Sequence, residues 1–259
     1  MPEAPATPEA PAIGIVGLGR LGSAVRSVCR AEGRDVALTA SRRSGWSYAR
    51  VPDVLVDASA PEAHADVLDH CATHRTPLVV CVSNLTDGQW KALAELAEVV
   101  PVVRATNLSF GHYLQVRIAE CTAAVTGGRF AAATTVRERH PLGKAHRPSA
   151  TALALADGWA AASGRAVADI ADERSGLPVS EHELSHIWPG ESLHVRHHVA
   201  DWDVPARGAL AAADWAHGAA PGLVTMRDVY DDLVHDGLVH DGLVHDGLVH
   251  DDLTARSTP

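Results

Sequence analysis

Lysine is almost missing from this 259-residue chain: only Lys91 and Lys144 occur, and arginine supplies the rest of its 22 basic residues. Positive charge is outnumbered, the formal net charge being −10, and no basic cluster stands out. That balance excludes a general nucleic-acid or membrane-surface role. The four cysteines, Cys29, Cys71, Cys81 and Cys121, are scattered with no CxxC pair, so they read as free thiols of a reducing compartment. No apolar run approaches the ~20 residues of a membrane span. The Pro/Ala/Glu-rich start, Met1 to Pro11, has neither the basic nor the apolar region of a signal peptide. The expectation is a cytoplasmic protein.

Hydrophobic residues make up 46% of the chain, enough for a real core. Residues 1–11 read as a tail. Ile13 to Val16 is a short apolar strand followed by Gly17-x-Gly19-x-x-Gly22 and an amphipathic stretch through Arg30. Strand patterns at Val36 to Ala40, Val54 to Asp57, Leu78 to Val82 and Val99 to Arg104 alternate with helical ones at Pro61 to His74 and Asp87 to Glu98. Such alternation predicts a parallel sheet with right-handed crossovers. After residue 107 the pattern changes to a long helix at Phe110 to Val125, a strand at Ala131 to Glu138, a helix at Ser149 to Ser163 and extended runs over 180–200. An alanine-rich helix follows at Ala206 to His217. The fold class is therefore α/β: a Rossmann-like dinucleotide-binding domain (12–107 and 205–230) plus a smaller α+β domain (108–204) for substrate and oligomerisation.

Residues 231–259 carry Leu-Val-His-Asp-Gly starting at Leu233, Leu238 and Leu243, with a fourth copy ending in Asp from Leu248. A five-residue period advances ~500° on a helix, so copies do not share a face. The segment reads as low-complexity and mostly disordered, its histidines being at most adventitious chelators.

Three features carry chemistry. The glycine turn lies between an apolar strand and a helix, where Gly17 permits the turn, Gly19 admits a pyrophosphate and Gly22 lets the helix pack close. Arg20, Leu21 and Gly22 then offer helix-end N–H groups to phosphate. At the end of the second strand, Ser41, Arg42 and Arg43 stand where NAD binders place an acid, a set suited to a 2′-phosphate. NADPH is expected, with NADH possible. His182-Glu183-Leu184-Ser185-His186 fits the zinc-protease HExxH string, but Pro178 before it and Pro189-Gly190 after it argue for an extended segment, and no metal is expected.

Several segments in order resemble the dihydrodipicolinate reductase family. Val56-Asp57-Ala58-Ser59-Ala60-Pro61 resembles D-F-T-x-P, and the stretch from Pro101 through Asn107 to Gly111 resembles P-V-V-x-A-P-N-x-S-x-G. Glu181-His182 resembles a G-E-H segment. The run from His140 through Lys144 to Pro148-Ser149-Ala150-Thr151-Ala152 resembles H-H-x-x-K-x-D-A-P-S-G-T-A. The resemblance implies His140 and Lys144 as catalytic residues, for protonation and carboxylate binding, and Ser149, Ala150 and Thr151 as a carboxylate site at a helix N-terminus. It also implies cofactor contacts at Ser59, Ser83, Thr106 and Asn107, and a homotetramer or other homo-oligomer. Pro141 replaces a histidine, Ala150 a glycine, Trp202 an arginine, and Cys81-Val82-Ser83-Asn84 a G-T-T-G turn. The expected activity is NAD(P)H-dependent reduction of a C=N or conjugated C=C–C=N bond in a small carboxylated, cyclic-imine substrate of specialised metabolism. The alternatives are the lysine-pathway reductase itself and a non-catalytic nucleotide-binding regulator.

Overall fold

A computed structural model describes residues 10–126, 132–176 and 179–240. Its first sheet grows from β1 (Ile13–Val16), whose four residues are all buried. α1 (Arg20–Ala31) crosses to β2 (Val36–Ser41), which turns back antiparallel as β3 (Gly45–Tyr48). The next strand, β4 (Val54–Asp57), lies on the opposite side of β1. From there α2 (His64–His74), β5 (Leu78–Val80), α3 (Asp87–Leu96) and β6 (Pro101–Arg104) continue outward. After a long excursion the chain returns through α6 (Asp203–Gly218) to β11 (Gly222–Thr225) and α7 (Met226–His240). The strand order is β11-β6-β5-β4-β1-β2-β3, parallel except for the β2–β3 hairpin. The order reverses at β1, so a crevice opens beyond the carboxyl ends of β1 and β4, where such sheets bind their ligands. One face buries Val25, Val28 and the alanines of α6; the other buries Val67, Leu93 and Leu96.

The excursion forms α4 (Phe110–Thr126), β7 (Ala133–His140), α5 (Ala150–Ser163), β8 (Asp169–Arg174), β9 (Ser180–Trp188) and β10 (Glu191–Val199). Its mixed sheet runs β10-β9-β7-β8, with β7 and β8 parallel and the other pairs antiparallel. Even-numbered residues of β7 and β9 face α4 and α5: Val136, Glu138, His140, His182, Leu184 and His186 are buried. The odd-numbered residues form an outer ladder of charges, Arg137–Glu173 at 2.8 Å, Arg139–Glu181 at 3.2 Å and Arg196–Glu183 at 3.1 Å.

His182 and His186 lie on the strand β9, in the extended segment that Pro178 and Pro189-Gly190 implied, where a four-residue step spans ~13 Å, so they do not share the face of an HExxH helix. One expectation changes: the chain is helical through His240, into the second copy of the repeat. Contacts just before the repeat fix this end, Tyr113 Oη donating to Asp231 at 2.7 Å and Trp215 Nε1 to Asp232 at 3.0 Å. The other copies of the repeat, and residues 1–9 of the tail, lie outside the described residues.

The inner face of the second sheet is rich in neutral histidine. Burial, then the nearby His140 and His112, hold His182 down to about 3; burial, then His197, holds His112 down to about 4. Below the ordinary histidine value of ~6.5 the unfolded chain binds protons that the folded chain refuses, so stability falls as pH drops through that window. At pH 5 each of the two histidines costs about 2 kcal/mol relative to pH 7.5. Urea unfolding should show a clearly lower midpoint at pH 5, and His112→Asn should narrow the gap. A midpoint independent of pH would show that these histidines titrate normally.

Candidate active site

The cofactor half is built from backbone. Gly17 sits at φ +88°, and a Cβ there would lie 2.5 Å from the Ala58 carbonyl oxygen and the Ser59 Cα. A Cβ on Gly22 would lie 1.8 Å from the Gly17 oxygen. Gly19 is different: no atom stands within 4 Å of its missing Cβ. It faces open space beside the α1 N-terminus, which has no side-chain cap. The loop thus fits a pyrophosphate, with its N–H groups and helix dipole directed outward. At the end of β4, the buried Asp57 accepts from Ser59 N at 3.0 Å and from Ser59 Oγ at 2.5 Å, and burial pushes its carboxyl up. Arg42 and Arg43 are exposed in the β2–β3 turn, where Arg42 makes only an exposed 3.4 Å pair with Glu62, an arrangement worth little. Ser41 Oγ is held within the same turn, 2.7 Å from Ser44 Oγ. Arg20 lies 5.1 Å from the ring centre of Trp202.

The second half converges on Glu138. Its carboxylate has no exposed surface and accepts the Ser149 N–H with both oxygens, at 3.0 and 3.1 Å. His140 Nε2 lies 3.3 Å and His182 Nε2 3.7 Å from Oε2, and Arg174 Nη1 lies 3.4 Å from Oε1. Burial opposes its ionisation, yet His140 and Ser149 hold the carboxyl down to about 2. The donor atoms of Glu138, His140 and His182 fall within 4.8 Å of one another, a spacing that a metal ion can use. Here the carboxylate is already matched by Arg174 and the Ser149 amide.

Ser149 caps α5: its Oγ accepts from Ala152 N at 3.2 Å and lies 3.3 Å from His182 Nε2. The first-turn amides not used this way are those of Ala150 and Thr151. Lys144 is exposed in the β7–α5 loop and makes no ion pair among the described residues. Near this loop and the α5 N-terminus, two side-chain bonds reach the Rossmann half, Asn107 Nδ2 donating to Thr151 Oγ1 at 3.1 Å and Asn84 Nδ2 lying 3.1 Å from His146 Nε2. A cavity of about 160 Å³, lined by Arg104, Thr106, Asn107, His112 and Thr151, opens beside the first bond.

The structure therefore gathers Thr106, Asn107 and Thr151 at one cleft, with His140 and Lys144 on the adjoining β7–α5 segment. Ser59, Ser83 and the glycine loop stand at the carboxyl ends of the Rossmann strands. Sequence reasoning missed Glu138 and Arg174. Glu138 precedes His140 by two on one strand, so alternation places both on the same face. Arg174, 34 positions beyond His140, carries no local signal.

A glycine-rich dinucleotide loop joined to a second, substrate-side sheet defines an NAD(P)H-dependent oxidoreductase. Models of the dihydrodipicolinate reductase N-terminus and C-terminus match residues 28–108 and 111–230. A 4-hydroxy-tetrahydrodipicolinate reductase of Alkalilimnicola ehrlichii is 32% identical over 234 residues, 83% of this chain and 81% of that one. One of Myxococcus xanthus is 36% identical over 198 residues, 68% of this chain and 71% of that one. The chain belongs to the dihydrodipicolinate reductase family. A dipicolinate-bound dihydrodipicolinate reductase from Paenisporosarcina sp. TG-14 shares the fold, with TM-score 0.66 at 16% identity over 84% of this chain and 98% of that one.

Gly19 separates cofactor space from packing. Gly19→Ala should leave the melting temperature near wild type, since its Cβ meets nothing, while weakening NAD(P)H binding about tenfold, or ~1.4 kcal/mol. Fluorescence titration measures the second quantity. Unchanged affinity would remove the loop from the phosphate site.

Proposed function

We propose that this enzyme reduces the C=N or conjugated C=C–C=N bond of a small carboxylated cyclic imine with NADPH. The single observation that carries the reading is Lys144, an exposed cation without an ion pair among the described residues, on a loop that runs into the N-terminus of α5. The dinucleotide, its pyrophosphate held at the glycine loop, would supply the hydride from its nicotinamide. Lys144 and the amides of Ala150 and Thr151 hold the substrate carboxylate, and Lys144 or the buried His140 behind it returns a proton to the reduced substrate. Ser59, Ser83, Thr106 and Asn107 border the cofactor. Arg42 and Arg43, solvent-exposed at the end of β2, supply charge for a 2′-phosphate.

Pro141 and Ala150 support a substrate different from the family's usual one, in specialised metabolism, because one removes a donor and the other adds bulk on the substrate side, whereas Trp202 packs by Arg20 on the cofactor side. The relatives' name, 4-hydroxy-tetrahydrodipicolinate reductase, favours the second reading, that this chain has the same substrate. Full turnover of 4-hydroxy-tetrahydrodipicolinate would establish the second reading over the first. The enzyme is proposed to act in the cytoplasm as a homotetramer, which sedimentation velocity tests; no helix among the described residues is long and apolar enough to cross a membrane.

Lys144→Ala should lower kcat about 100-fold, the scale of a lost general acid, with NADPH affinity unchanged. Equal loss of both would remove its assigned role. Arg42→Ala/Arg43→Ala should weaken NADPH binding about tenfold, or ~1.4 kcal/mol, and leave NADH binding unaltered. Parallel loss for both cofactors would refute 2′-phosphate recognition.

A further inference from the structure

Arg174 is the last residue of β8, and its side chain is 3% exposed. Its donors diverge onto one loop. Nε donates to the Lys144 carbonyl at 2.9 Å, and Nη2 donates to the His146 carbonyl at 2.6 Å. Nη1 donates to Glu138 Oε1 at 3.4 Å and to the Glu173 carbonyl at 3.2 Å. One rigid guanidinium thus grips the β7–α5 loop at two carbonyls and the strand beneath it at a carboxylate. Glu138 in turn holds the Ser149 amide at the far end of the same loop. Within the loop, the Lys144 amide donates to the Pro141 carbonyl at 3.0 Å, closing a turn.

We infer that Arg174 is the positioning residue of this enzyme, setting the loop so that the Lys144 side chain stands over the α5 N-terminus. It touches no reacting atom; it fixes the backbone on both sides of Ala145. A planar fork is needed, because a lysine at this position would be a point donor unable to reach two carbonyls and a carboxylate in three directions. The catalytic consequence rests on the role proposed above for Lys144, whereas the loop-fixing consequence does not.

The scarcity of lysine supplies a test independent of activity. A lysine-specific endoprotease can cut the chain only after Lys91, on helix α3, and after Lys144, in the loop. In Arg174→Gln, cleavage after Lys144 should accelerate at least tenfold while cleavage after Lys91 stays at the wild-type rate. Equal acceleration at both sites would mean general destabilisation, and no acceleration would mean the loop is held otherwise; either overturns the inference. If Arg174→Gln fails to fold with Glu138 left unpaired, Glu138→Gln/Arg174→Gln removes both charges and is subjected to the same digestion. Kinetics form the second arm. Arg174→Gln should lower kcat at least tenfold with NADPH affinity retained, and should add almost nothing in a Lys144→Ala background. Additive losses would overturn action through Lys144. A Lys144→Ala enzyme with wild-type kcat would instead sink the catalytic reading while leaving the digestion result standing.

Discussion

A carboxylate with no exposed surface is the constraint around which the second half of this enzyme is arranged. Glu138 remains ionised in the interior only because the Ser149 amide, Arg174 and His140 surround it. Removing one partner of such a buried pair costs about 3–5 kcal/mol, since the other charge is left stranded. Everything that satisfies Glu138 is therefore fixed relative to everything else: the end of β7, the end of β8, the start of α5 and the loop between them. These are the elements that carry His140, Lys144 and Thr151. Neighbouring His182 stays neutral against the pull of this carboxylate, its imidazole held down by burial and by His140 and His112.

This arrangement redistributes the donors at the α5 N-terminus. A helix start offers up to four N–H groups to an anion. In this chain the protein's own carboxylate takes the first, at Ser149, and the Ser149 hydroxyl takes that of Ala152. On the reading proposed above, a substrate carboxylate is left with the amides of Ala150 and Thr151, and the Thr151 hydroxyl accepts from Asn107 of the Rossmann half, so the two halves meet at this helix start.

How legible this was depends on how local each signal is. The Rossmann half could be read because its requirements are short-range: an apolar β1, glycines spaced to the turn, and a helix directly after. The β2–β3 hairpin was not read, since Gly45 to Tyr48 is four residues whose strand character comes from pairing with β2 rather than from alternation. Helix α7 ran on past the expected boundary because Tyr113 and Trp215, over a hundred and about seventeen residues away in sequence, anchor Asp231 and Asp232. Along the β7–α5 segment, His140, Lys144 and Thr151 were singled out through resemblance. Glu138 was readable only by extending the strand two residues, and Arg174 required knowing that β8 lies parallel to β7, with Arg174 opposite His140.

That last pairing shows why the β7–α5 loop need not be rigid in sequence to be held in space. The loop from Pro141 to Pro148 contains Gly143 and exposed side chains, a composition that alone would leave it many conformations. Its ends are fixed by strand and helix, and its middle by a guanidinium from a neighbouring strand, so the ordering cost is met within the fold rather than on binding substrate. Among the described residues, the side-chain bond this loop makes toward the Rossmann half is Asn84 to His146, between exposed groups. A loop gripped from behind at the Lys144 and His146 carbonyls by a buried guanidinium, and met in front by that single exposed bond, has its backbone set by the strand that carries Arg174 rather than by the side it faces.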